Sequence, residues 1–422
     1  MRGEPRRAGA WTQLLTESML FIKNASQLAR LNAEQDSFAV IESAGVVLDD
    51  DHIAWVGPSD RMPSPPPDAT VIDASGKTVI PGLIDSHTHL VFAGTREEEF
   101  EDRLRGLSYQ EIAARGGGIN STVRLVRESS RSELKELARD RLRRLLSFGV
   151  TTIEVKSGYG LSVPDEIKCL EVIADLNAEG PWDLVPTFLG AHAVPPEYSR
   201  DHEGYLSLLT DQMLPEIARC GLARFCDVFC DVGAFTLVET EEVLAAARRL
   251  GFGLKLHADE LSPLGGAELA ARMGAISADH LLCITEAGID ALARSQTVAT
   301  LLPGTAFFLG MQYAPARKLL ERGVRVALAS DCNPGTCPTE NLPLIGAMAC
   351  TQMKMLPSEV LAALTLNAAT AIGCADRVGS IEVGKQADLV ICDVANYRQL
   401  FYHFGVNHAW RVIKRGRVVY TA

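Results

Sequence analysis

The amino-acid sequence predicts an α/β fold, a (β/α)8 TIM-like barrel joined to a small β-sandwich domain that is built from both termini. Three observations support this prediction: strands alternate with helices through the middle of the chain, both ends are rich in β-branched residues, and polar residues cluster where the central strands end. The 422 residues exceed the usual size of a single domain. We therefore expect the sandwich over residues 1–78 and 377–422 and the barrel over residues 79–376.

The central region contains eight short apolar runs, each tied to a helical stretch. Short continuous runs are typical of parallel strands that are covered on both faces. We predict strands at residues 83–86, 150–155, 183–189, 224–229, 253–256, 275–278, 297–302 and 325–329. Eight such units match the size of a closed barrel. An open doubly wound sheet stays as the alternative, because periodicity does not reveal closure.

The composition argues against several classes of protein. The net charge of −12 and the pI near 5.3 oppose a surface for nucleic acid or for an anionic membrane. No apolar stretch approaches the ~20 residues that span a bilayer, and the segment after Arg2, Arg6 and Arg7 is too polar for a secretory signal. Ten scattered cysteines without a Cys-x-x-Cys pair indicate reduced thiols. We therefore expect a cytoplasmic protein.

The first central strand runs into two histidines, His87 and His89, which are separated by one residue. Side chains two positions apart in a strand lie on one face, so both imidazoles can reach one metal ion at about 2.0–2.1 Å. A bare His-x-His pattern also occurs by chance at exposed strand ends, so the other ligands must come from elsewhere in the chain. Asp85, two residues before His87, is expected to orient one of the imidazoles.

Polar residues also stand at the carboxyl ends of the later predicted strands, where barrels collect their chemistry. Five of the nine histidines occupy strand ends. The residues concerned are His87, His89, His192, His257, Glu260, His280 and Asp331. Singly, each histidine fits a hydrogen-bonded structural role, and Asp331 fits a helix cap. Together they predict a divalent metal ion with one position left for water, and hence a metal-dependent hydrolase.

Three ordered features stand out: Pro-Gly-Leu-Ile-Asp-Ser-His-Thr-His at residues 81–89, the strand-end residues His257, His280 and Asp331, and Gly-Ser-Ile-Glu-Val-Gly-Lys-Gln-Ala-Asp-Leu-Val at residues 379–390. In these features the chain resembles the amidohydrolase superfamily of metal-dependent barrels. The resemblance implies His87, His89, His257 and Asp331 as metal ligands, and Glu260, His280 and Asp331 as catalytic residues that handle the proton of a bound water. Binuclear members of the superfamily usually place a carboxylated lysine or a glutamate at the end of the fourth strand. The predicted fourth strand of this chain carries no lysine, so the resemblance implies one divalent ion per subunit, zinc or iron.

Further stretches narrow the resemblance, namely residues 92–96, 114–119, 154–161, 188–192 and 331–336. They are similar to the imidazolonepropionase family, which hydrolyses the small molecule 4-imidazolone-5-propanoate to N-formimidoyl-L-glutamate in histidine degradation. The resemblance implies a homodimer and a set of substrate-binding residues: Arg96, Tyr159, His192, Glu260, Asn333, Gly335 and Thr336. Cys332 and Cys337 depart from the family's pattern in the last of these loops.

Two other functions stay open at this point. A mononuclear deaminase of the same superfamily, acting on a nitrogenous ring, would share the metal site. A non-catalytic binding protein would keep the barrel but typically lose ligands. Arg96 favours a substrate with a carboxylate, because a guanidinium pairs with a carboxylate through two hydrogen bonds. Its neighbours Glu97, Glu98 and Glu99 offer surface ion pairs as another explanation.

Overall fold

The computed structural model describes residues 19–32, 37–107, 111 and 115–422. Ala114 of the predicted motif at 114–119 and the N-terminal arginines lie outside these residues. The strands are β1 (Leu20–Asn32), β2 (Ser37–Asp49), β3 (His52–Pro58), β4 (Thr70–Asp73), β5 (Thr78–Pro81), β6 (Leu83–Asp85), β7 (Val150–Lys156), β8 (Asp183–Ala191), β9 (Phe225–Cys230), β10 (Gly253–Ala258), β11 (Ser277–His280), β12 (Val298–Leu301), β13 (Val326–Leu328), β14 (Leu389–Cys392), β15 (Ala409–Lys414) and β16 (Arg417–Thr421).

Helices connect the central strands and follow the last of them. The α-helices span Glu97–Leu104, Ile119–Glu128, Arg131–Ser147, Val163–Glu179, His202–Leu208, Leu214–Cys220, Leu237–Arg249, Gly266–Met273, Glu286–Ala293, Pro303–Leu309, Ala316–Glu321, Leu342–Met353, Pro357–Ala363, Leu366–Ala371 and Gln399–Tyr402. Short 3-10 turns cover Ser59–Arg61 and Pro196–Tyr198, and a π-helical turn covers Leu209–Met213. Among the described residues, no helix is both long and apolar enough to cross a membrane.

Strands β6 to β13 form one parallel sheet in sequence order. Just beyond β6 and β13, Thr88 and Cys332 form a parallel bridge, with hydrogen bonds of 3.0 Å from His89 N to Cys332 O and from Asp331 N to His87 O. This bridge joins the first and last strands, so the closed barrel is confirmed over the open sheet. All eight predicted strands are present, with ends that differ from the prediction by at most two residues.

A second sheet combines the two ends of the chain in the order β16-β15-β14-β5-β1-β2-β3, with β4 paired to β1. β5 pairs in parallel with the N-terminal β1 and antiparallel with the C-terminal β14. Buried side chains from both ends, among them Ile22, Val46, Leu389 and Ile413, form a hydrophobic cluster separate from that of the barrel. The prediction that both termini fold together is therefore confirmed.

The two sheets contact each other through a group of charged and polar side chains, which we call the inter-sheet cluster; Asp183, Gln386, Asp388 and Lys414 are its buried members. Its members are Asp183, Arg377, Gln386, Asp388, Lys414 and Arg415. Lys414 Nζ donates to Asp388 Oδ2 at 2.7 Å and lies 2.9 Å from Asp183 Oδ2. Because Asp183 begins β8 and Lys414 ends β15, this cluster joins the amino-terminal end of the barrel to the terminal sheet.

Candidate metal centre

His87 and His89 lie on either side of Thr88, the residue that bridges the closing strands. Their Nε2 atoms are 3.5 and 3.4 Å from the same oxygen, Oδ1 of Asp331. The histidines follow β6 and Asp331 follows β13, so closure of the barrel brings them together. Three of the predicted ligands therefore face one point at the carboxyl end of the barrel.

Two more imidazoles border the same point. His257 is the penultimate residue of β10 and His280 is the last residue of β11. The ring centroids of His87 and His257 are 4.5 Å apart, and those of His257 and His280 are 5.2 Å apart. The ligand atoms of His87, His257 and His280 lie within 4.8 Å of one another, as do those of His87, His89 and Asp331. His280 therefore borders the same space as the four predicted ligands, close enough to be a further ligand.

Buried nitrogen atoms at this point lack hydrogen-bond partners, among them Nε2 of His87 and Nε2 of His257. A buried polar atom without a partner costs about 1–3 kcal/mol. Orphaned atoms that converge on one point therefore indicate a missing ligand. Imidazole nitrogens with one carboxylate suit both zinc and iron. These residues fit a divalent ion.

Carboxylates from the barrel interior hold the far sides of two imidazoles. His87 Nδ1 lies 2.6 Å from Asp279 Oδ2, and His257 Nδ1 lies 3.0 Å from Asp227 Oδ2. A carboxylate in this position fixes the tautomer and orientation of a ligand histidine. The prediction that Asp85 orients one of the ligand imidazoles is wrong, because Asp85 Oδ1 instead accepts a hydrogen bond from Ser330 N at 2.9 Å and its Oδ2 has no hydrogen-bond partner.

A fully buried lysine, Lys156, stands behind these carboxylates. Its Nζ donates to Glu154 Oε1 and to Asp227 Oδ2, both at 2.7 Å, and lies 3.9 Å from Asp279 Oδ2. Burial alone would lower the pKa of Lys156, but the carboxylates of Asp227 and Glu154 outweigh it and raise the pKa. Lys156 therefore keeps its charge inside the barrel.

The sequence analysis did not assign functions to Glu154, Lys156, Asp227 or Asp279. A signal was available, because each is a charged residue inside a short strand, and the residues directly before and after it in the chain are buried. A charge in such a strand must be paired. Glu154 and Lys156 pair within one strand, but the sequence does not reveal the partners of Asp227 and Asp279, because those pairings join strands far apart along the chain.

Burial sets the protonation of the histidines. It lowers the pKa of His89 well below its ordinary value, and that of His280 to about 3. For His87, burial and the nearby positive charge of Lys156 act in the same direction. These imidazoles are therefore neutral near pH 7, and the neutral form is the one that binds a metal ion.

Glu260 lies just after β10 at the rim of the pocket, and Asp231 fixes its backbone. Asp231 Oδ2 accepts hydrogen bonds from Glu260 N at 3.1 Å and Leu261 N at 2.8 Å. Glu260 Oε2 is 3.6 Å from His280 Nε2. Burial, followed by the negative charges of Asp331 and Asp231, raises the pKa of Glu260 well above its ordinary value. A carboxyl group with a raised pKa is suited to proton exchange near neutral pH.

Tyr159 and His192 place two rings beside the ligand histidines. The His192 ring stacks on that of His89, with centroids 5.0 Å apart and planes 20° apart, and Tyr159 lies 5.3 Å from His192. The buried carboxylate of Glu166 accepts hydrogen bonds from three backbone N–H groups of residues 158–161 and so fixes the loop that carries Tyr159. The structure therefore brings both predicted residues to the pocket.

Arg96 turns towards the last barrel loop. Its Nε and Nη2 both donate to Thr122 Oγ1, at 2.9 and 2.7 Å. A Cβ atom at Gly335 would lie 2.5 Å from Arg96 Nη1, so the guanidinium packs closely against this glycine. The side chain of Thr122, and no neighbouring glutamate, receives these hydrogen bonds, which favours the substrate role over the surface ion pairs.

The loop of residues 331–336 is fixed by its own side chains. Asn333 Oδ1 accepts from Gly335 N and Thr336 N at 2.8 Å, and its Nδ2 donates to Asp331 O at 2.7 Å. Thr305 Oγ1 donates to Asp331 Oδ2 at 2.6 Å. The buried thiols of Cys332 and Cys337 leave Asp331 in place. Asn333 therefore supports the loop through contacts within it.

Backbone strain coincides with the pocket. Asp331, His280 and Asp259 all have positive φ angles, of 55°, 78° and 50°. Residues other than glycine rarely adopt this conformation, and such strain collects at functional sites. The hydrogen bond from Thr305 Oγ1 to Asp331 Oδ2 leaves the other carboxylate oxygen of Asp331 facing His87 and His89.

Comparison with known proteins identifies the class. A model described as "Amidohydrolase family" matches residues 104–420. The chain therefore belongs to the amidohydrolase family, as the barrel and its histidine-aspartate centre indicate. Its curated relatives include the imidazolonepropionase of Geobacillus kaustophilus, 51% identical over 413 residues, 95% of this chain and 97% of the relative. That of Treponema denticola is 52% identical over 376 residues, 89% of this chain and 91% of the relative.

Solved structures with similar folds are more distant in sequence. A triazine hydrolase variant superposes with a TM-score of 0.75 at 18% identity and covers 96% of this chain and 95% of its own. An adenosine deaminase from Xanthomonas campestris with bound zinc has a TM-score of 0.68 at 18% identity, over 94% of this chain and 92% of its own. At this identity the likeness shows the shared barrel and accessory sheet.

Proposed function

We propose that this chain is an imidazolonepropionase, a hydrolase that opens the cyclic amide of 4-imidazolone-5-propanoate to give N-formimidoyl-L-glutamate in histidine degradation. The single observation that carries the proposal is Arg96 held against Gly335 at the rim of the histidine-aspartate pocket. The relatives named imidazolonepropionase, at about half identity over 95% of the chain, support it. The reaction class follows from the amidohydrolase family.

The propanoate group and the ring are bound by different residues in this proposal. The guanidinium of Arg96 pairs with the substrate carboxylate. The ring lies beside Tyr159 and His192, whose centroids are 5.3 Å apart at the pocket wall. Asn333, Gly335 and Thr336 shape the opposite wall, because their hydrogen bonds hold the loop against Arg96.

We assign the divalent ion to His87, His89, His257 and Asp331, with His280 adjoining. Such an ion supplies Lewis-acid polarisation of the carbonyl and activation of water. The charged groups linked by contacts at the barrel centre are Lys156, Lys255, Glu154, Asp227, Asp279 and Asp331. Two ammonium groups against four carboxylates leave about two negative charges, which one divalent ion neutralises. This balance supports one divalent ion per subunit, and imidazole and carboxylate ligands suit zinc or iron.

We assign the chemistry to Glu260, His280 and Asp331, with Glu260 as the residue that carries the proton. Hydrolysis joins the water oxygen to the ring carbonyl carbon and breaks the amide C–N bond, so the water loses a proton and the departing nitrogen gains one. Glu260 Oε2 and His280 Nε2, 3.6 Å apart, border the reacting position together. Glu260 accepts the proton from water and returns it to nitrogen, and neutral His280 steadies the charge on the carbonyl oxygen.

A panel assay tests the substrate. The purified protein, reconstituted separately with zinc and iron, is given 4-imidazolone-5-propanoate, and formation of N-formimidoyl-L-glutamate is measured. Parallel reactions measure ammonia release from guanine, cytosine and adenine derivatives. We expect ring opening to dominate. Dominant ammonia release would replace the proposal by the deaminase alternative, and no turnover with any substrate despite bound metal would favour the non-catalytic alternative.

We also propose the domain boundaries, the cellular location and the oligomeric state of the protein. We place the domain boundaries after residues 78 and 376. We propose a cytoplasmic location, which the ten unpaired cysteine thiols support. The resemblance further implies a homodimer, which sedimentation of the purified protein would test.

A further inference from the structure

Lys156 has no direct part in the proposed chemistry, yet it is among the largest fully buried side chains of the described residues. It is the last residue of β7, at the carboxyl end of the barrel. Its ammonium group makes two hydrogen bonds of 2.7 Å to carboxylates on β7 and β9, and a third carboxylate on β11 lies 3.9 Å away. Because its ammonium group lies between three strands, Lys156 attracts carboxylates on all three, which a neutral residue would not do.

Each of the three carboxylates leads from Lys156 to a predicted metal ligand. Asp227 Oδ2, which accepts from Lys156, lies 3.0 Å from His257 Nδ1. Asp279 Oδ2 lies 2.6 Å from His87 Nδ1. The other oxygen of Glu154 accepts from Thr88 N, the backbone group between His87 and His89, at 3.4 Å.

The second buried lysine of the barrel, Lys255, lacks this pattern. Its Nζ donates to Ser277 Oγ at 2.6 Å and to Ala371 O at 3.4 Å, and it approaches one carboxylate, Asp279, at 3.6 Å. Lys255 is closer to Asp279 than Lys156 is, but of these two lysines only Lys156 also contacts Glu154 and Asp227, so it is the cation that links the supports of His87, His89 and His257 to one another.

We propose that Lys156 is a positioning residue: its ammonium group holds the carboxylates of Asp227, Asp279 and Glu154 so that the three ligand histidines point at one divalent ion. This inference rests on the proposed metal centre. Without the cation, Glu154 and Asp227 are two buried carboxylates that repel each other, and they relieve the repulsion by moving apart or by binding a proton. In both cases Asp227 no longer fixes the His257 ring.

The matched test compares two buried lysines, each of which bridges two carboxylates. Lys156→Met removes the cation at the metal centre, and Lys414→Met removes the one in the inter-sheet cluster. Both variants and the parent protein are stripped of metal, and the affinity for Co²⁺ is measured by competition with a chelator. We expect Lys156→Met to weaken Co²⁺ binding about 10- to 100-fold and to alter the visible spectrum of the cobalt form. Lys414→Met should leave both unchanged.

A charge-balanced variant keeps the test valid if Lys156→Met does not fold. Glu154→Gln combined with Lys156→Met removes one buried charge of each sign and still leaves Asp227 without a cation. We expect this variant to fold and to bind Co²⁺ weakly. Co²⁺ affinity equal to that of the parent in either variant, or an equal loss in Lys414→Met, would overturn the proposal.

Turnover separates this inference from the proposed function. In the loaded enzyme, Lys156→Met should lower kcat while the KM for 4-imidazolone-5-propanoate stays within a few-fold, because Arg96 and Tyr159 are untouched. If the parent protein did not hydrolyse this substrate, the proposed function would fail, and the Co²⁺ comparison would still decide the role of Lys156.

Discussion

The barrel centre and the inter-sheet cluster are built from the same parts but end differently. In each, a buried lysine bridges two carboxylates at hydrogen-bond distance: Lys156 with Glu154 and Asp227, and Lys414 with Asp183 and Asp388. At the barrel centre the network continues into imidazoles, and Nε2 of His87 and Nε2 of His257 have no hydrogen-bond partner. In the inter-sheet cluster no buried side-chain nitrogen or oxygen of its members is left without one.

The difference shows how a structural network is distinguished from a functional one. A buried charge network whose hydrogen bonds are all made is complete and serves to join its elements. A network that ends in several orphaned atoms around one space needs a ligand to complete it. By this reasoning, replacements in the inter-sheet cluster should cost stability, whereas replacements at the barrel centre should cost metal binding and turnover.

The largest effect is expected from Asp331→Ala. Asp331 supplies the carboxylate to which His87 and His89 converge, at 3.5 and 3.4 Å. We expect loss of both bound metal and turnover, measured by elemental analysis and by formation of N-formimidoyl-L-glutamate. Asp388→Ala, in the inter-sheet cluster, is the control and should keep its metal. An active but metal-free Asp331→Ala would contradict the assignment.

Lys414→Met should act on stability alone. Removing one partner of a buried ion pair leaves the other charge uncompensated and costs about 3–5 kcal/mol. Asp388 would lose its cation, whereas Asp183 keeps Arg377 and Arg415, so we expect a loss near the lower end of this range. Chemical denaturation of the metal-loaded protein measures this loss in the free energy of unfolding. The kcat of the folded variant should match that of the parent, and a large fall in kcat would remove the distinction between the two clusters.

Arg96→Met tests the rim of the pocket, which belongs to neither cluster. Hydrogen bonds to a charged group contribute about 1.5–3 kcal/mol, so we expect kcat/KM to fall about 10- to 100-fold, mainly through KM, with metal content unchanged. Glu97→Gln is the matched control for the surface ion-pair explanation and should leave kinetics unaltered. Equal loss of activity in Arg96→Met and Glu97→Gln would support the surface ion-pair explanation and contradict the substrate role of Arg96.

The smallest effect, when taken for each pH unit, is expected in the pH dependence of the metal-free protein. Because the pKa of folded His280 is lowered to about 3, the unfolded chain binds a proton below about pH 6.5 and the folded chain does not. Stability should therefore fall as the pH decreases from about 6.5 towards 3, by about 1.4 kcal/mol per pH unit from this residue. His280→Asn should show a shallower slope in denaturation at several pH values. Parallel curves would contradict the burial argument.

The inter-sheet cluster has a different pH window, which sharpens the comparison. Although burial alone would raise the pKa of Asp183, the Lys414 ammonium and the hydrogen bond from Gln386 lower it. Stability from Asp183 is therefore present above its ordinary pKa near 4 and is lost only as the pH falls further. Between about pH 6.5 and pH 4.5, changes in stability should come from the barrel centre and not from this cluster. There the histidines lower stability as the pH falls, and Asp85 and Glu260, whose pKa values are raised, act in the opposite direction.

The sequence predicts the fold and the residues that face the metal position well, for identifiable reasons. The eight strands are short apolar runs, and His87, His257 and Asp331 stand where such runs end, so order along the chain is enough to place them. Lys156 and Asp227 are different, because one is on β7 and the other on β9, and only barrel geometry makes their side chains meet. The expected role of Asp85 fails for the same reason: its partner is the backbone of Ser330, across the closure of the barrel.

The most direct test of the central claim is turnover of 4-imidazolone-5-propanoate as a function of added metal. Metal-free protein is titrated with zinc or iron, and the rate of N-formimidoyl-L-glutamate formation is recorded against the molar ratio of metal to subunit. The account predicts no activity without metal and a rate that rises linearly and levels off at one equivalent. Activity in the metal-free protein, a plateau only at two equivalents, or no ring opening at any ratio would contradict it.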